Sequence, residues 1–304
     1  LAFLPDLLNH AYVGILISVI IYAMGSGLIE VLVSPIVEAC PFDNKESVMS
    51  LLHSFYCWGA VAVILFSTAF FTIFGINNWR ILACIWALIP ICNVFNFLTC
   101  PIESLTEDGQ GLSIRQLCNI PIFWVALVLM VCAGASEISM AQWASAYTES
   151  ALGLSKSIGD IAGPSLFAVT MGISRSFYGK YGEKIDLMKF MTSSGILCLI
   201  CYLLAALGPY PILGLIGCIM CGFSVGIMWP GTISIASSKI PMGGTAMFAL
   251  LAMAGDMGGS IGPCVVGFVT QNAGDNLKAG MLAGCIFPVI LVLSVCLLKY
   301  KKSK

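Results

Sequence analysis

The chain has 304 residues, of which 59% are hydrophobic and 10% are charged, and its formal net charge is −1. Soluble globular domains carry roughly 25% charged residues, so a soluble core of this length would have too few charges to cover its surface. The mean hydropathy of +0.98 indicates instead that lipid is the solvent for most of the chain. A net charge near zero gives no indication of a nucleic-acid partner.

The first residues, Leu1-Ala2-Phe3-Leu4-Pro5, contain neither an initiator methionine nor a basic segment. They do not match a signal peptide, which starts with a basic region followed by a short apolar one. We interpret them as the end of a helix that begins earlier. We therefore expect the sequence to lack the first part of a longer chain.

Nine apolar runs after this start are long enough to span a bilayer, which takes about 17–25 helical residues. Short polar turns separate most of them, but the connection from Thr99 to Gln116 is longer and carries several charges. We therefore predict three parts: residues 1–98 as the remainder of an N-terminal helical half, 99–117 as a central loop and 118–304 as a six-helix C-terminal half. The nine runs are 11–37, 46–73, 78–98, 119–147, 158–178, 187–207, 211–236, 244–270 and 279–298.

Lysine and arginine are distributed unevenly between the two ends of the predicted helices. Of the 14 in the chain, Arg80, Lys156 and Lys278 fall at one end and the remaining eleven at the other. Because cytoplasmic connections are enriched in Lys and Arg, we predict a multi-pass plasma-membrane protein whose central loop and C-terminal tail are cytoplasmic. Three helices before such a loop and six after it predict three more helices in front, as in transporters built from two repeated halves.

Four of the 14 cysteines form two CxxC pairs, Cys198 with Cys201 and Cys218 with Cys221, at a spacing that resembles a zinc site. Both pairs lie inside apolar runs that we predict to be separate membrane helices. Buried cysteines in such places behave as small hydrophobic residues at helix contacts. We therefore predict neither a metal site nor a disulfide framework.

Three carboxylates lie inside apolar runs: Glu30, Glu137 and Asp256. A charge at the bilayer centre costs about 2.5–3.5 kcal/mol on insertion scales, so each acid needs a partner, an aqueous cavity or a function. The sequence shows no comparably deep lysine or arginine, and burial without a cation favours the neutral form of a carboxylic acid. We predict that Glu30 and Glu137 exchange protons; the alternative is that they only hold helices together. Asp256 lies among glycines, where we expect a role in packing or gating.

Two helical faces carry side chains suited to a polar solute. His53 and Tyr56 are three residues apart in one run, and Trp143 and Tyr147 are four apart in another, so each pair shares a face. Aromatic rings pack on the apolar faces of sugar rings, but they also mark membrane interfaces. A single histidine in a helix is usually structural. Substrate contact and a structural role therefore both stay open for these residues.

Several of these residues occur in patterns of a known family. The segment from Gly25 through Gly27 to Glu30, followed by Ser34-Pro35, resembles a GxGxxExxxxP pattern. That pattern belongs to the fourth transmembrane helix of the fucose–proton symporter family, within the major facilitator superfamily. The segment from Leu51 to Gly59 resembles the fifth helix of that family.

The resemblance continues through the second half of the chain. Gly134-Ala135-Ser136-Glu137 with Trp143 is similar to the family's seventh helix, and Gly172 to Arg175 with Gly179 resembles its basic loop between helices eight and nine. Trp229-Pro230 and Gly255-Asp256 fit helices ten and eleven. In order along the chain, these matches assign the nine runs to helices four to twelve of the major facilitator fold, an all-α polytopic membrane fold of twelve helices.

The resemblance also implies roles for individual residues. The family's helix-four glutamate is tied to sugar recognition and proton coupling, which implies the same for Glu30. The family's polar helix-five positions contact sugar, which points to His53 and Tyr56, although this sequence departs at both from the amides of the founding symporter. Glu137 and Trp143 are expected at the same site. Structural or gating roles are expected for Gly25, Gly27, Pro35, Arg175, Gly179, Trp229, Pro230 and Asp256.

The favoured hypothesis is proton-coupled uptake of a sugar or sugar-like solute by alternating access, in a monomer that contacts the bilayer and needs no cofactor beyond the proton gradient. Efflux of a non-sugar compound and a non-transporting receptor are alternatives. A more distant alternative is an intramembrane protease using Asp256, or a serine with His53. The chain has neither a GxSG nor an HExxH motif, so we do not expect an enzyme.

Overall fold

The computed structural model describes residues 2–103, 111–152, 159 and 161–300. Part of the predicted central loop, residues 104–110, lies outside this range, as do Lys156 and the tail lysines counted toward the orientation. Within the described residues the regular structure is helical throughout. The helices are α1 (Leu4–Leu7), α2 (Ala11–Ala39), α3 (Lys45–Phe74), α4 (Trp79–Thr99), α5 (Ile114–Cys118), α6 (Pro121–Leu152), α7 (Leu166–Tyr181), α8 (Leu187–Leu207), α9 (Pro211–Val225), α10 (Met228–Lys239), α11 (Gly244–Asn272), α12 (Leu277–Gly284) and α13 (Ile286–Tyr300).

Helix occupies all nine of the predicted apolar runs. Eight spans in the described part of the chain are long and apolar enough to cross a membrane. The remaining run, 158–178, contains a shorter α-helix. Its helix α7 has 16 residues and follows a π-helical turn at Ile161–Ser165. This is the arrangement of a multi-span membrane protein, in which every backbone group must be paired within its own helix.

One predicted span, 211–236, consists of two helices, α9 and α10, with a break around Gly226 and Ile227. The cause lies four residues on, at Pro230. A helix would bond the Gly226 carbonyl to the N–H of residue 230, and proline has none. That carbonyl instead accepts a hydrogen bond of 2.8 Å from Nε of Arg175. The broken span is therefore tied to a side chain of α7. The run 279–298 is similarly divided, between α12 and α13 at Cys285.

Helices α6 and α11 approach each other closely along a stripe of glycines. A methyl group at Gly134 would overlap the carbonyl of Gly255, and one at Gly258 would overlap the carbonyl of Val131. A methyl group at Gly262 would lie 2.7 Å from the carbonyl oxygen of Ala135. Membrane helices use small residues in this way to bring their backbones together. Gly258 and Gly262 of α11 therefore face α6 and permit this close contact within the C-terminal group of helices.

Helices α2 and α3 contact the C-terminal group of helices at the lysine-rich end of the bundle. Ser237 Oγ of α10 donates a hydrogen bond of 2.7 Å to Glu38 at the end of α2, and Tyr178 Oη of α7 donates one of 3.1 Å to Glu46 at the start of α3. Toward the other end, Gly25 has open space around it. These two bonds therefore join the two groups of helices at the lysine-rich end of the bundle.

Candidate transport site

A buried arginine, Arg175 of α7, joins three helices near the middle of the bundle. Its side chain is 2% exposed, and Nη2 donates a hydrogen bond of 3.1 Å to Oε2 of Glu137 on α6. Nη1 donates one of 2.9 Å to the backbone carbonyl of His53 on α3, and Nε donates to the Gly226 carbonyl. The guanidinium group therefore links α3, which belongs to the N-terminal group of helices, to a carboxylate of the C-terminal group.

Two expectations from the sequence are wrong here. Arg175 was expected in a basic loop, and Glu137 was expected to lack a deep cation; instead α7 continues to Tyr181, and Arg175 is the cation that neutralises Glu137. A buried arginine is tolerated because its planar, multi-donor group can satisfy a carboxylate and backbone carbonyls together. The loop that remains between α7 and α8 starts with the short 3-10 helix Gly182–Lys184. Hydropathy along one helix carries no information on a partner supplied by another helix.

Glu30 is the second intramembrane acid, and its environment differs from that of Glu137. It lies in the second half of α2 and is partly exposed. Among the residues that the structure describes, it makes no ion pair and no hydrogen bond. Glu30 is therefore, among the described residues, the unpaired carboxylate that the sequence predicted.

The predicted polar face of α3 lies between Glu30's helix and Arg175. Nε2 of His53 lies 3.3 Å from Ser34 Oγ of α2, so the imidazole ring bridges the two helices. The ring of Tyr56 is exposed, and its centre lies 5.8 Å from the Arg175 guanidinium carbon. Tyr56 is thus available to a solute, whereas the imidazole of His53 is already hydrogen-bonded to Ser34 of α2.

The aromatic side chains of the C-terminal group serve mainly as packing groups. The Nε1 group of Trp143 donates a hydrogen bond of 3.4 Å to the carbonyl of Pro263, and its ring would lie 3.1 Å from a methyl group at Gly267. The ring of Trp229 covers Gly255. The side chain of Tyr147 lies outside the described residues. Trp143 is half-buried against α11, so its predicted contact with substrate has no support from this packing.

Asp256 has a different setting from the packing position expected for it. Its side chain is exposed, on the face of α11 opposite the glycine stripe. It lines a cavity of about 450 Å³ between α11 and α2. On α2 the cavity is lined by Gly27 and Val31. Glu30 shares their helix face, because these three residues follow the helical spacing of three and four.

The remaining motif residues lie where the two groups of helices pack or separate. Pro35 is buried within α2, and a methyl group at Gly179 would lie 3.1 Å from Leu51 of α3. Gly25 and Gly27 have nothing within 4 Å of an added methyl group. Gly179 therefore permits close contact between α3 and α7, whereas Gly25 and Gly27 face open space.

The two CxxC pairs lie on neighbouring helices, α8 and α9. The thiols of Cys198 and Cys221 are 3.8 Å apart, and all four cysteines are buried. In the described ranges, no group of three or more His, Cys, Asp or Glu side chains is arranged to hold a metal ion. The four thiols pack among apolar residues at a helix contact.

Sequence reasoning missed Ser34 and two acids at helix ends, Glu38 and Glu46. Ser34 is buried beside His53, and the acids bond across to Ser237 and Tyr178. The sequence signal that could have found the acids was their position, because acids at the lysine-rich end of neighbouring helices are placed to meet partners from the other group. Pairing across distant parts of the chain has no periodicity in the sequence and is visible only in three dimensions.

Comparison with known proteins agrees with this architecture. The sequence model of the Major Facilitator Superfamily matches residues 1–263. Two crystal structures of FucP, one of a variant of the Escherichia coli fucose:proton symporter and one in the outward conformation, superpose with TM-scores of 0.79 at 17% identity, covering 97% of this chain and 79% of theirs. No curated protein matches the sequence. The chain therefore belongs to the Major Facilitator Superfamily, and it is a membrane transporter of small-molecule solutes and not an enzyme.

Proposed function

We propose that this transporter carries a sugar or sugar-like polar solute together with a proton by alternating access across the plasma membrane. The observation that carries the proposal is Glu30. It is an intramembrane carboxylate beside a cavity, with no ion pair or hydrogen bond among the described residues. Ionisable residues inside membrane spans mark ion and proton pathways. Because no basic side chain holds Glu30 in its charged form, the residue is suited to take up and release the coupling proton.

Glu137 has a second role in this scheme. Its carboxylate is bound by Arg175, which also holds the His53 carbonyl of α3. A proton on Glu137 would remove the charge that Arg175 neutralises, and the guanidinium would then be held only by carbonyl groups. Protonation at Glu137 would thereby loosen the position of Arg175 within the C-terminal group, and Arg175 is the residue that bonds across to the His53 carbonyl of α3. This is how proton binding and movement of the halves are coupled in the proposal.

The solute would bind between Glu30 and the exposed ring of Tyr56, near His53. Carboxylate, phenol and imidazole groups supply the few well-placed polar contacts that orient a ligand in an otherwise apolar site. FucP, whose structure has the same fold, is by name a fucose:proton symporter. That similarity supports a polar solute and proton coupling. In the proposal the protein acts as a monomer, in the orientation predicted from its lysines.

Transport in proteoliposomes tests the proposal. With an inward proton gradient, we expect the protein to accumulate at least one of a panel of radiolabelled sugars that includes L-fucose. Glu30→Gln should abolish accumulation against a gradient, while exchange of solute between equal concentrations continues, since exchange needs no net proton movement. The control is Glu183→Gln, the same chemical change at an exposed residue between α7 and α8. Undiminished accumulation by Glu30→Gln would remove Glu30 from the coupling mechanism.

Efflux of an amphipathic compound is a second candidate function. It is favoured by the apolar wall of the cavity, where Met253, Met257 and Ile261 of α11 lie. An exporter would make cells resistant to a subset of a toxic-compound panel, whereas an importer of sugars would confer no resistance. Resistance combined with absence of sugar uptake would transfer the assignment to efflux.

A further inference from the structure

The cavity between α2 and α11 has one wall with a consistent chemical pattern. Five residues of α11 line it, spaced as one helix face: Met253, Asp256, Met257, Ser260 and Ile261. Three of these side chains are apolar and two carry oxygen. A flat apolar surface interrupted by a carboxylate and a hydroxyl matches a hydroxylated ring, which has apolar C–H faces and polar edges.

Among the described residues, no structural role explains why a carboxylate occupies position 256. Among the described residues it makes no hydrogen bond or ion pair, and the close contact between α11 and α6 is made by the glycines on the other face. An acid in a membrane span that neither pairs nor packs requires another explanation. Its position on the cavity wall, facing the helix that carries Glu30, supplies one.

The charge around the cavity restricts what it can hold. None of the seven lining residues is basic. Arg175, the one buried arginine in the described part of the chain, is engaged by Glu137 and two backbone carbonyls. With the Asp256 carboxylate on the cavity wall, an anionic solute would meet like charge without a compensating cation among the lining residues, which is a strong means of rejecting a ligand.

We propose that Asp256 binds the solute directly, accepting hydrogen bonds from its hydroxyl or ammonium groups, and that this carboxylate makes the site selective for neutral or amine-bearing sugars over sugar acids. Ser260 lies one turn further along α11 and is placed to contact the same edge of the solute. The apolar face of the ring packs on Met257 and Ile261. This inference rests on the proposed function and adds the charge class of its substrate.

Solute binding by purified protein in proteoliposomes tests the inference without any proton gradient. The probes are L-fucose and the glucose, galactose and mannose series, each series as free sugar, amino sugar and uronate. For the series that binds, we expect the uronate to bind at least tenfold more weakly than the neutral sugar. Asp256→Asn should weaken binding of the neutral sugar about tenfold or more and binding of the amino sugar by a larger factor. It should also reduce the difference in affinity between the neutral sugar and the uronate. A hydrogen bond to a charged group has this magnitude.

Two further variants separate binding from folding. Asp256→Glu keeps the charge and should restore part of the affinity and the rejection of uronates. Asp275→Asn makes the same change as Asp256→Asn in the turn after α11, at a left-handed position (φ 59°) that asparagine also adopts, and should leave binding unchanged. The melting temperature of each variant is measured alongside binding. Equal weakening of all solutes by Asp256→Asn, together with a lower melting temperature, would show a structural role and overturn the inference.

The results also distinguish this inference from the proposed function. If Asp256→Asn binds every solute as the wild type does, while Glu30→Gln still loses proton-driven accumulation, the inference is wrong and the proposed function stands. If the folded wild-type protein binds no member of any series, the proposed sugar function fails, and the inference fails with it.

Discussion

At the scale of single residues, Arg175 decides how the middle of the bundle is held together. Its guanidinium satisfies a carboxylate and two backbone carbonyls from three helices, an arrangement that a lysine's single ammonium group cannot reproduce. The sequence identified Glu137 as a residue in need of a partner, and it contained Arg175. It did not connect them, because 38 positions separate the two residues.

Removal of Arg175 should therefore be costly. Breaking a buried ion pair on one side leaves an uncompensated charge and costs about 3–5 kcal/mol. We expect Arg175→Gln to lower the melting temperature strongly in detergent, Arg175→Lys to restore little of it, and Arg175→Gln with Glu137→Gln to recover part, since no charge is then left unpaired. Fluorescence-detected size-exclusion chromatography after heating measures these differences.

The matched control is Arg80→Gln. Arg80 pairs with Asp6 at 2.7 Å, but both side chains are substantially exposed. Exposed ion pairs contribute about 0–1 kcal/mol, so this variant should melt close to the wild type. If Arg175→Gln were as stable as Arg80→Gln, the pair with Glu137 would contribute nothing to holding the helices together.

At the scale of helices, nearly all spans follow from hydrophobic length alone. Runs such as 187–207 match the helix end to end, because the bilayer thickness fixes how many apolar residues a span requires. The break around Gly226 was missed, because the apolar run continues across it from α9 into the start of α10. The signal was Pro230, whose missing N–H frees a carbonyl four residues earlier. Predicting which group would donate a hydrogen bond to that carbonyl required knowing that Arg175 of α7 lies beside it.

The contact between α6 and α11 yields a prediction at this scale. Gly258→Ala would place a methyl group into the backbone of Val131 and force the two helices apart. Overpacking of this kind costs about 1–3 kcal/mol, so we expect a lower melting temperature. Gly59→Ala is the control, because an added methyl group there has nothing within 4 Å and alanine favours helix over glycine. Equal stability of the two variants would mean that the glycine stripe is not needed for close packing.

At the scale of the whole molecule, the contacts between the two groups of helices form a gate at one end. Along α3, hydrogen bonds between the two groups run from Glu46 to Trp58, whose Nε1 donates to Ser176 Oγ at 3.3 Å. Beyond Trp58, Gly59 faces open space. The sequence predicted two groups and their orientation, but the pairs that join the groups, such as Glu46 with Tyr178, come from distant parts of the chain and have no signal in it.

Tyr178 gives the most direct test of the gate. It is fully buried, and its hydroxyl is bonded to Glu46 across the interface. Tyr178→Phe removes that bond and leaves the ring in place, so the closed end should open more often. Hydrogen–deuterium exchange should become faster in the first turns of α3 and the last turns of α7, while exchange near the far end of α3 becomes slower as the opposite end closes.

The direction of both changes matters, because alternating access requires the two ends to respond in opposite senses. Glu183→Gln, which changes an exposed acid at the same end, should alter neither. Faster exchange at both ends of α3 in Tyr178→Phe would indicate general loosening of the bundle. Unchanged exchange at both ends would mean that other contacts keep this end closed. The bond between Ser237 and Glu38 would then be the next to remove. Opposite changes at the two ends would show that a single hydroxyl biases the equilibrium between the states that transport requires.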